Sequence, residues 1–139
     1  MAYDPNNIFA KIVRGEAPCF KVYEDAHTLA FMDIMPQAEG HTLVIPKEGA
    51  ESIFDLSPES AAAMIRTTKK IAAAVKEVTN APGILLAQLN GAAAGQTVFH
   101  IHFHVIPRTS GLDLKLHARE MANFEHLKAL AAKIAAAIK

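Results

Sequence analysis

The chain has 139 residues, 51% hydrophobic and 20% charged, which suits one domain with its own core and leaves little room for two. Fourteen Lys and Arg balance fourteen Asp and Glu, so there is no bulk positive charge to coat nucleic acid, and no nucleic-acid partner is expected. One cysteine, Cys19, excludes an internal disulfide or a multi-thiolate zinc site, and with no signal peptide or long apolar run the chain reads as cytoplasmic, without a membrane partner.

Asp4 can cap a short helix with Pro5 just inside it, which places a first helix over about Asn6–Arg14 with Gly15 at its end. Phe20–Tyr23 and Thr28–Met32 are β-prone runs joined by the polar Glu24-Asp25-Ala26-His27, a hairpin. After a loop at Met35–Gly40, His41–Ile45 reads as a third strand stopped by Pro46. Ser57-Pro58-Glu59 starts a long helix with a cap, a proline at its first position and an acid in its first turn. Met64, Ile65, Ile71, Val75 and Val78 give this helix an apolar face, and Asn80-Ala81-Pro82-Gly83 ends it. Ile84–Leu89 is a near-continuous apolar run, read as a central strand. Asn90–Gln96 is a loop of small residues, and Phe99–Ile106 is the last strand. In the Ala-rich tail Phe124, Leu127, Ala131, Ile134 and Ile138 recur at helical spacing over Asn123–Ile138. Strands and helices come in blocks rather than in strict alternation, which predicts an α+β fold.

The chemistry concentrates in His100-Ile101-His102-Phe103-His104-Val105-Ile106. Strand alternation puts His100, His102 and His104 on one face, about 6.5–7 Å apart, and Phe99, Ile101, Phe103 and Val105 on the other. Three readings fit that pattern. The histidines could be incidental on a solvated face. They could bind metal with a distant ligand completing the shell. Or one imidazole could act as a nucleophile, with its neighbours positioning it. An imidazole is mostly neutral at pH 7, so it can attack without a dedicated base. The small residues of Gly91–Thr97 allow backbone N–H groups to approach a phosphate closely.

Around that motif stand Ile8-Phe9-Ala10-Lys11-Ile12, Ala30-Phe31-Met32-Asp33-Ile34, Gly40-His41-Thr42-Leu43-Val44-Ile45-Pro46-Lys47 and Asn90–Val98. In these blocks the chain resembles the histidine triad (HIT) family of nucleotide hydrolases and transferases, nearest the Hint-like and bacterial branch. The resemblance implies a HIT fold, an antiparallel sheet of about five strands with packed helices. It implies a single domain, with its core over about residues 8–108 and a helical extension over about 117–138, in a homodimer whose sheets join.

The resemblance also implies roles. His102 is the nucleophile that attacks the α-phosphorus of a purine nucleotide, and His104 contacts the α-phosphate. His100 supports the site, and His41 is a fourth histidine close by. Asp33 accepts from the ribose hydroxyls. Gly95, Gln96 and Thr97 meet the phosphate, and Ile8, Phe31 and Ile34 meet the base. The expected reaction is hydrolysis of a nucleoside 5′-monophosphate, AMP above all, from an amine or a phosphate leaving group. No cofactor or metal is expected.

Two positions depart from the family pattern. Where many bacterial relatives carry Cys-x-x-Cys, which helps hold zinc, this chain has Asn7 and Ala10. Eleven residues before His100, where an amide side chain usually reaches the phosphate, stands Leu89; Asn90 or Gln88 would have to substitute.

Overall fold

The structure is a computed structural model that describes residues 3–110 and 121–139. The expected start of the tail extension, 117–120, lies outside them. Asn7 opens helix α1 (Ile8–Val13) by accepting the Ala10 N–H at 2.9 Å. That start is later than the one expected from Asp4, whose carboxylate takes the Asn6 N–H instead. Strands β1 (Lys21–Glu24) and β2 (Thr28–Met32) form the expected hairpin. Its turn is fastened by Asp25, which accepts from both His27 N–H and Thr28 N–H at 2.8 Å. Strand β3 (Thr42–Pro46) pairs with β2 along its whole length.

Helix α2 (Pro58–Thr79) starts where Ser57 accepts the Ser60 N–H and ends at Asn80 in the left-handed conformation, φ 55°. It buries Met64, Ile71 and Val75, but not Ile65, which is 57% exposed. One position past Met64 lies roughly 100° round the helix, off the packed face. Helix α3 (Phe124–Ala137) is capped by Asn123 and buries Leu127, Leu130, Ala131 and Ile134.

Strands β4 (Gly83–Ala87) and β5 (Phe103–Arg108) complete a five-stranded sheet of order β1-β2-β3-β5-β4, antiparallel throughout. This is the α+β architecture expected of the chain. Alternation divides its side chains cleanly. Ala30, Met32, Val44 and Val105 face α2 and α3 in the larger core. Leu29, Phe31, Leu43 and Ile45 face Phe9 of α1 in a smaller one. Burying such side chains is worth about 1.5–3 kcal/mol each, so both faces hold the sheet flat against its helices.

Two strand readings need correction. β4 is not central: among the described residues it pairs only with β5, at the end of the sheet, and Leu86 is 48% exposed. Ile84 packs against the larger core, while Leu86, two positions on along the same face, is exposed. β5 begins at Phe103, four residues later than expected. Before that point the main chain bonds elsewhere: Ile101 N–H donates to the Ala50 carbonyl at 2.9 Å instead of joining a ladder.

Candidate active site

The smaller core supports the site. Gly40 sits at φ +100°, where a Cβ would meet Thr79 Cγ2 at 2.7 Å, so only glycine lets the chain turn into β3 against the end of α2. That turn delivers His41, 1% exposed, beneath the sheet. Asp33 follows β2, its N–H on the His41 carbonyl and its Oδ1 accepting Met35 N–H at 2.8 Å. His104 lies on β5 opposite Leu43, on the α1 face. The loop carrying Asp33 is braced from α3's side by Ala122 N–H on the Ile34 carbonyl and by His126 on Glu39.

Four histidines follow, and their neighbours dictate where each neutral ring keeps its proton. Gln37 N–H can only donate, and it meets His41 Nδ1 at 3.0 Å. His41 therefore carries its proton on Nε2 and donates to His104 Nδ1, 3.0 Å away. His104 is left with its proton on Nε2. The Pro46 carbonyl can only accept, and it takes His100 Nε2–H at 2.8 Å, so His100 Nδ1 accepts from Tyr3 Oη–H. The His100 carbonyl in turn takes His102 Nδ1–H at 2.8 Å, which leaves the lone pair of His102 on Nε2. Adjacent rings thus offer opposite functions: His102 a lone pair, His104 an N–H. Their centroids are 4.9 Å apart, with the ring planes at 63°.

Burial, with the His104 and His102 rings alongside, pushes His41 down from 6.5 to about 3. Burial also lowers His100, against a smaller upward pull from the Pro46 carbonyl. His41 Nε2 lies 3.5 Å from Asp33 Oδ2, a separation that would make an ion pair if the ring were charged. With the ring about 1% exposed and its affinity for a proton so low, it is neutral near pH 7, and the contact is one of carboxylate with neutral imidazole.

Asp33, His41 and His104 bring three donor atoms within 4.8 Å of one another. A metal on His41 Nε2 would need that proton moved to Nδ1, against the Gln37 N–H. At the N-terminal block the Asn7 amide oxygen is committed to the α1 cap and Ala10 has no ligand atom, so that pair does not fit zinc.

Beside the His102 and His104 rings lies a cavity of about 580 Å³, a size that suits a small-molecule ligand. Ile8, Phe9, Phe31, Asp33, Ile34, Thr97, His102 and His104 all line it. Phe9 stands edge-on to His102, with centroids 4.9 Å apart at 89°. Five other expected site residues stand behind or beside this wall. His41 and His100 form the second layer just described. Gln96, 3% exposed, spends its amide on the main chain, donating to the Glu51 and Val98 carbonyls and accepting the Gly91 N–H. Asn90 accepts from Ile53 N–H at 2.8 Å and exchanges amide hydrogen bonds with Gln88. Gly95, at φ +103°, closes the short 3-10 helix Ala92–Ala94 that leads to Thr97. Tyr3, the Pro46 carbonyl and the Gln37 N–H were beyond sequence reasoning: two are main-chain groups, and Tyr3 precedes every predicted element.

A HIT domain matches residues 14–111 of the chain. The adenosine 5′-monophosphoramidase hnt1 of Schizosaccharomyces pombe is 41% identical over 135 residues, 95% of this chain and 98% of the relative. The adenylylsulfatase HINT3 of Arabidopsis thaliana is 43% identical over 101 residues, 73% of this chain and 51% of the relative. The crystal structure of a Hit-like protein from Bartonella henselae superposes with a TM-score of 0.93 at 49% identity, covering 99% of this chain and 100% of that one. A triad of the form His-x-His-x-His beside a cavity of small-molecule size, on a sheet that superposes this closely, leaves one assignment: the chain belongs to the histidine triad family, whose relatives include nucleotide hydrolases.

Proposed function

We propose that the protein hydrolyses a nucleoside 5′-monophosphate, AMP in the first instance, from an amine or phosphate leaving group through a nucleotidyl-histidine intermediate. One observation carries this reading: the His102 and His104 rings stand side by side at the cavity wall, and their hydrogen-bond partners assign the lone pair to His102 Nε2 and the N–H to His104 Nε2. His102 Nε2 forms a bond to the α-phosphorus while the bond to the leaving group breaks. His104 N–H faces the same phosphoryl group as a donor, where it can stabilise developing oxyanion charge or pass its proton to the leaving atom. Water then displaces His102 from phosphorus and releases the monophosphate.

Support for an adenylyl substrate comes from the two named relatives, a monophosphoramidase and an adenylylsulfatase. Adenosine 5′-phosphoramidate and a diadenosine polyphosphate, assayed side by side, test the reading. AMP release from either is expected, unchanged by a chelator, because the nucleophile and the positive character both come from the protein. No release from either substrate, or activity lost to the chelator and restored by zinc, overturns it.

A second reading, nucleotide binding with little turnover, is favoured by the position of Leu89. Gln88 and Asn90, the amides that could substitute for it, are paired with each other. A stoichiometric burst of labelled nucleotide on His102 followed by slow release would select that reading.

Asp33 is proposed to accept from the ribose hydroxyls. Its side chain is 19% exposed and lines the cavity, so a hydroxyl missing from the sugar leaves a partly buried acceptor short of a partner. That costs about 1–3 kcal/mol. A preference for ribo over 2′-deoxyribo substrates is therefore expected in kcat/KM, and Asp33→Ala should erase most of it. An unchanged sugar preference in the variant removes Asp33 from the ribose. Ile8, Phe31 and Ile34 offer the base apolar contact with little hydrogen-bond readout, so adenine and guanine should both enter.

Among the described residues β4 has no neighbour on its outer side, and the exposed Leu86 lies there. We place the sheet of a second copy against that edge, as the family resemblance implies; sedimentation as a monomer would remove this. The lone half-buried thiol of Cys19 suits the cytoplasm.

A further inference from the structure

We propose that Tyr3 is a positioning residue for the nucleophile, holding His102 in its reactive tautomer through His100. This rests on the covalent role of His102 proposed above. Tyr3 stands 97 positions before His100, on a segment ahead of α1, yet its hydroxyl lies 2.5 Å from His100 Nδ1. The two rings meet edge-on, with centroids 5.7 Å apart. On the ring's other nitrogen, Pro46 accepts Nε2–H at 2.8 Å. The next peptide is held as well, with Ile101 N–H on the Ala50 carbonyl. His100 is thus fixed through both ring nitrogens and through the amide that follows it, at 1% exposure.

The atom this fixes is the His100 carbonyl oxygen. It is the acceptor that keeps the proton of His102 on Nδ1, and so the lone pair on Nε2. If His100 could rotate, its peptide plane would be less constrained and His102 would lose its bias between tautomers. Tyr3 is built into this arrangement rather than resting on it. A Cβ on Gly49 would meet Tyr3 Cε2 at 2.8 Å, with Cδ2 and Cζ at 3.2 Å. Residue 49 therefore has to be bare for the ring to lie where it does. The segment 46–50 accordingly holds His100 from one side through Pro46 and Ala50, and seats the tyrosine that holds it from the other.

The test uses the full chain with Tyr3→Phe and Gly49→Ala. Steady-state kinetics on adenosine 5′-phosphoramidate are paired with ¹⁵N chemical shifts of the histidine rings in ligand-free protein. Tyr3→Phe keeps the ring and removes the hydroxyl. It is expected to lower kcat about threefold to tenfold, the worth of one hydrogen bond, with KM within about twofold, because the residue does not line the nucleotide cavity. The His102 Nδ1 and Nε2 shifts should move toward a mixture of tautomers. Gly49→Ala should act in the same direction, and should add nothing in a Tyr3→Ala background, where the ring it displaces is gone. Unmoved His102 shifts in Tyr3→Phe overturn the proposal, whether or not kcat falls. The ring shifts need no turnover, so a parent protein that forms no nucleotidyl-histidine defeats the proposed reaction without deciding the coupling of Tyr3 to His102.

Discussion

Replacing His102 with alanine is expected to lower turnover by about 10³-fold or more while nucleotide affinity stays within about tenfold. The ring removed is the one whose lone pair is set at the cavity wall by the His100 carbonyl. The groups proposed to hold the ground state remain at the cavity wall: Asp33, Thr97 and the apolar slot of Ile8, Phe31 and Ile34. His102 is 7% exposed, so the alanine opens some space beside Phe9, but the ring packs at the edge of the smaller core rather than within it. The effect should therefore appear in kcat, together with loss of the labelled covalent adduct in acid-quenched protein. Near-normal turnover, or an adduct that persists, would mean that another group attacks phosphorus.

The second large effect belongs to His41, which touches no part of the cavity. His41→Ala removes the donor that keeps the proton of His104 on Nε2. His104 can then hold its proton on Nδ1 and turn a lone pair toward a phosphoryl oxygen, where a donor is needed. Loss of one such donor costs about 10²–10³-fold in kcat. The same substitution empties a buried site and should cost about 2–4 kcal/mol of stability by cavity formation. A pH series separates the two consequences. The folded ring has its proton affinity depressed to about 3, whereas in the unfolded chain it returns to its ordinary 6.5. Between those values the unfolded state binds the extra proton, so this contribution to stability is present above about pH 6.5 and is lost as pH falls toward 3. Denaturant unfolding across that range should show a steeper acid loss in the parent than in His41→Ala. A variant with kcat within twofold of the parent would show that His104 keeps its proton in place unaided.

Features signalled by adjacent residues were legible before the fold was known. Ser57-Pro58 marks α2 and Asp25 marks the hairpin because a cap and a turn are made by side chains reaching two or three positions along. Strand order has no such local signal. Ile84–Leu89 looks central because it is apolar, yet its place at the sheet end is set by which strand lies next to β5. The alternation at His100–His104 suggested one continuous strand, and the contact that prevents it, Ile101 to Ala50, spans more than a third of the chain's length in sequence. In the site, the resemblance brought Ile8, Phe31, Asp33, Ile34, Thr97, His102 and His104 to what proves to be one cavity. It did not distinguish these from Asn90 and Gln96, whose amides brace loops, because an amide that binds phosphate and an amide that binds backbone are the same letter.

Gln37, Pro46 and His100 each fix a histidine proton with a main-chain atom. A main-chain atom has no residue identity to lose. Any residue but proline at position 37 still supplies the N–H, and any residue at 46 still supplies a carbonyl, provided the chain follows the same path. Diverging descendants of this protein could therefore exchange the residues at 37 and 46 and still place the protons of His41 and His100 alike. Gly40 has no such latitude, since its left-handed turn against Thr79 is the path itself. Beside the histidines themselves, what a lineage must inherit to keep this chemistry is a route through space for the backbone, and Gly40 is constrained because it bends that route.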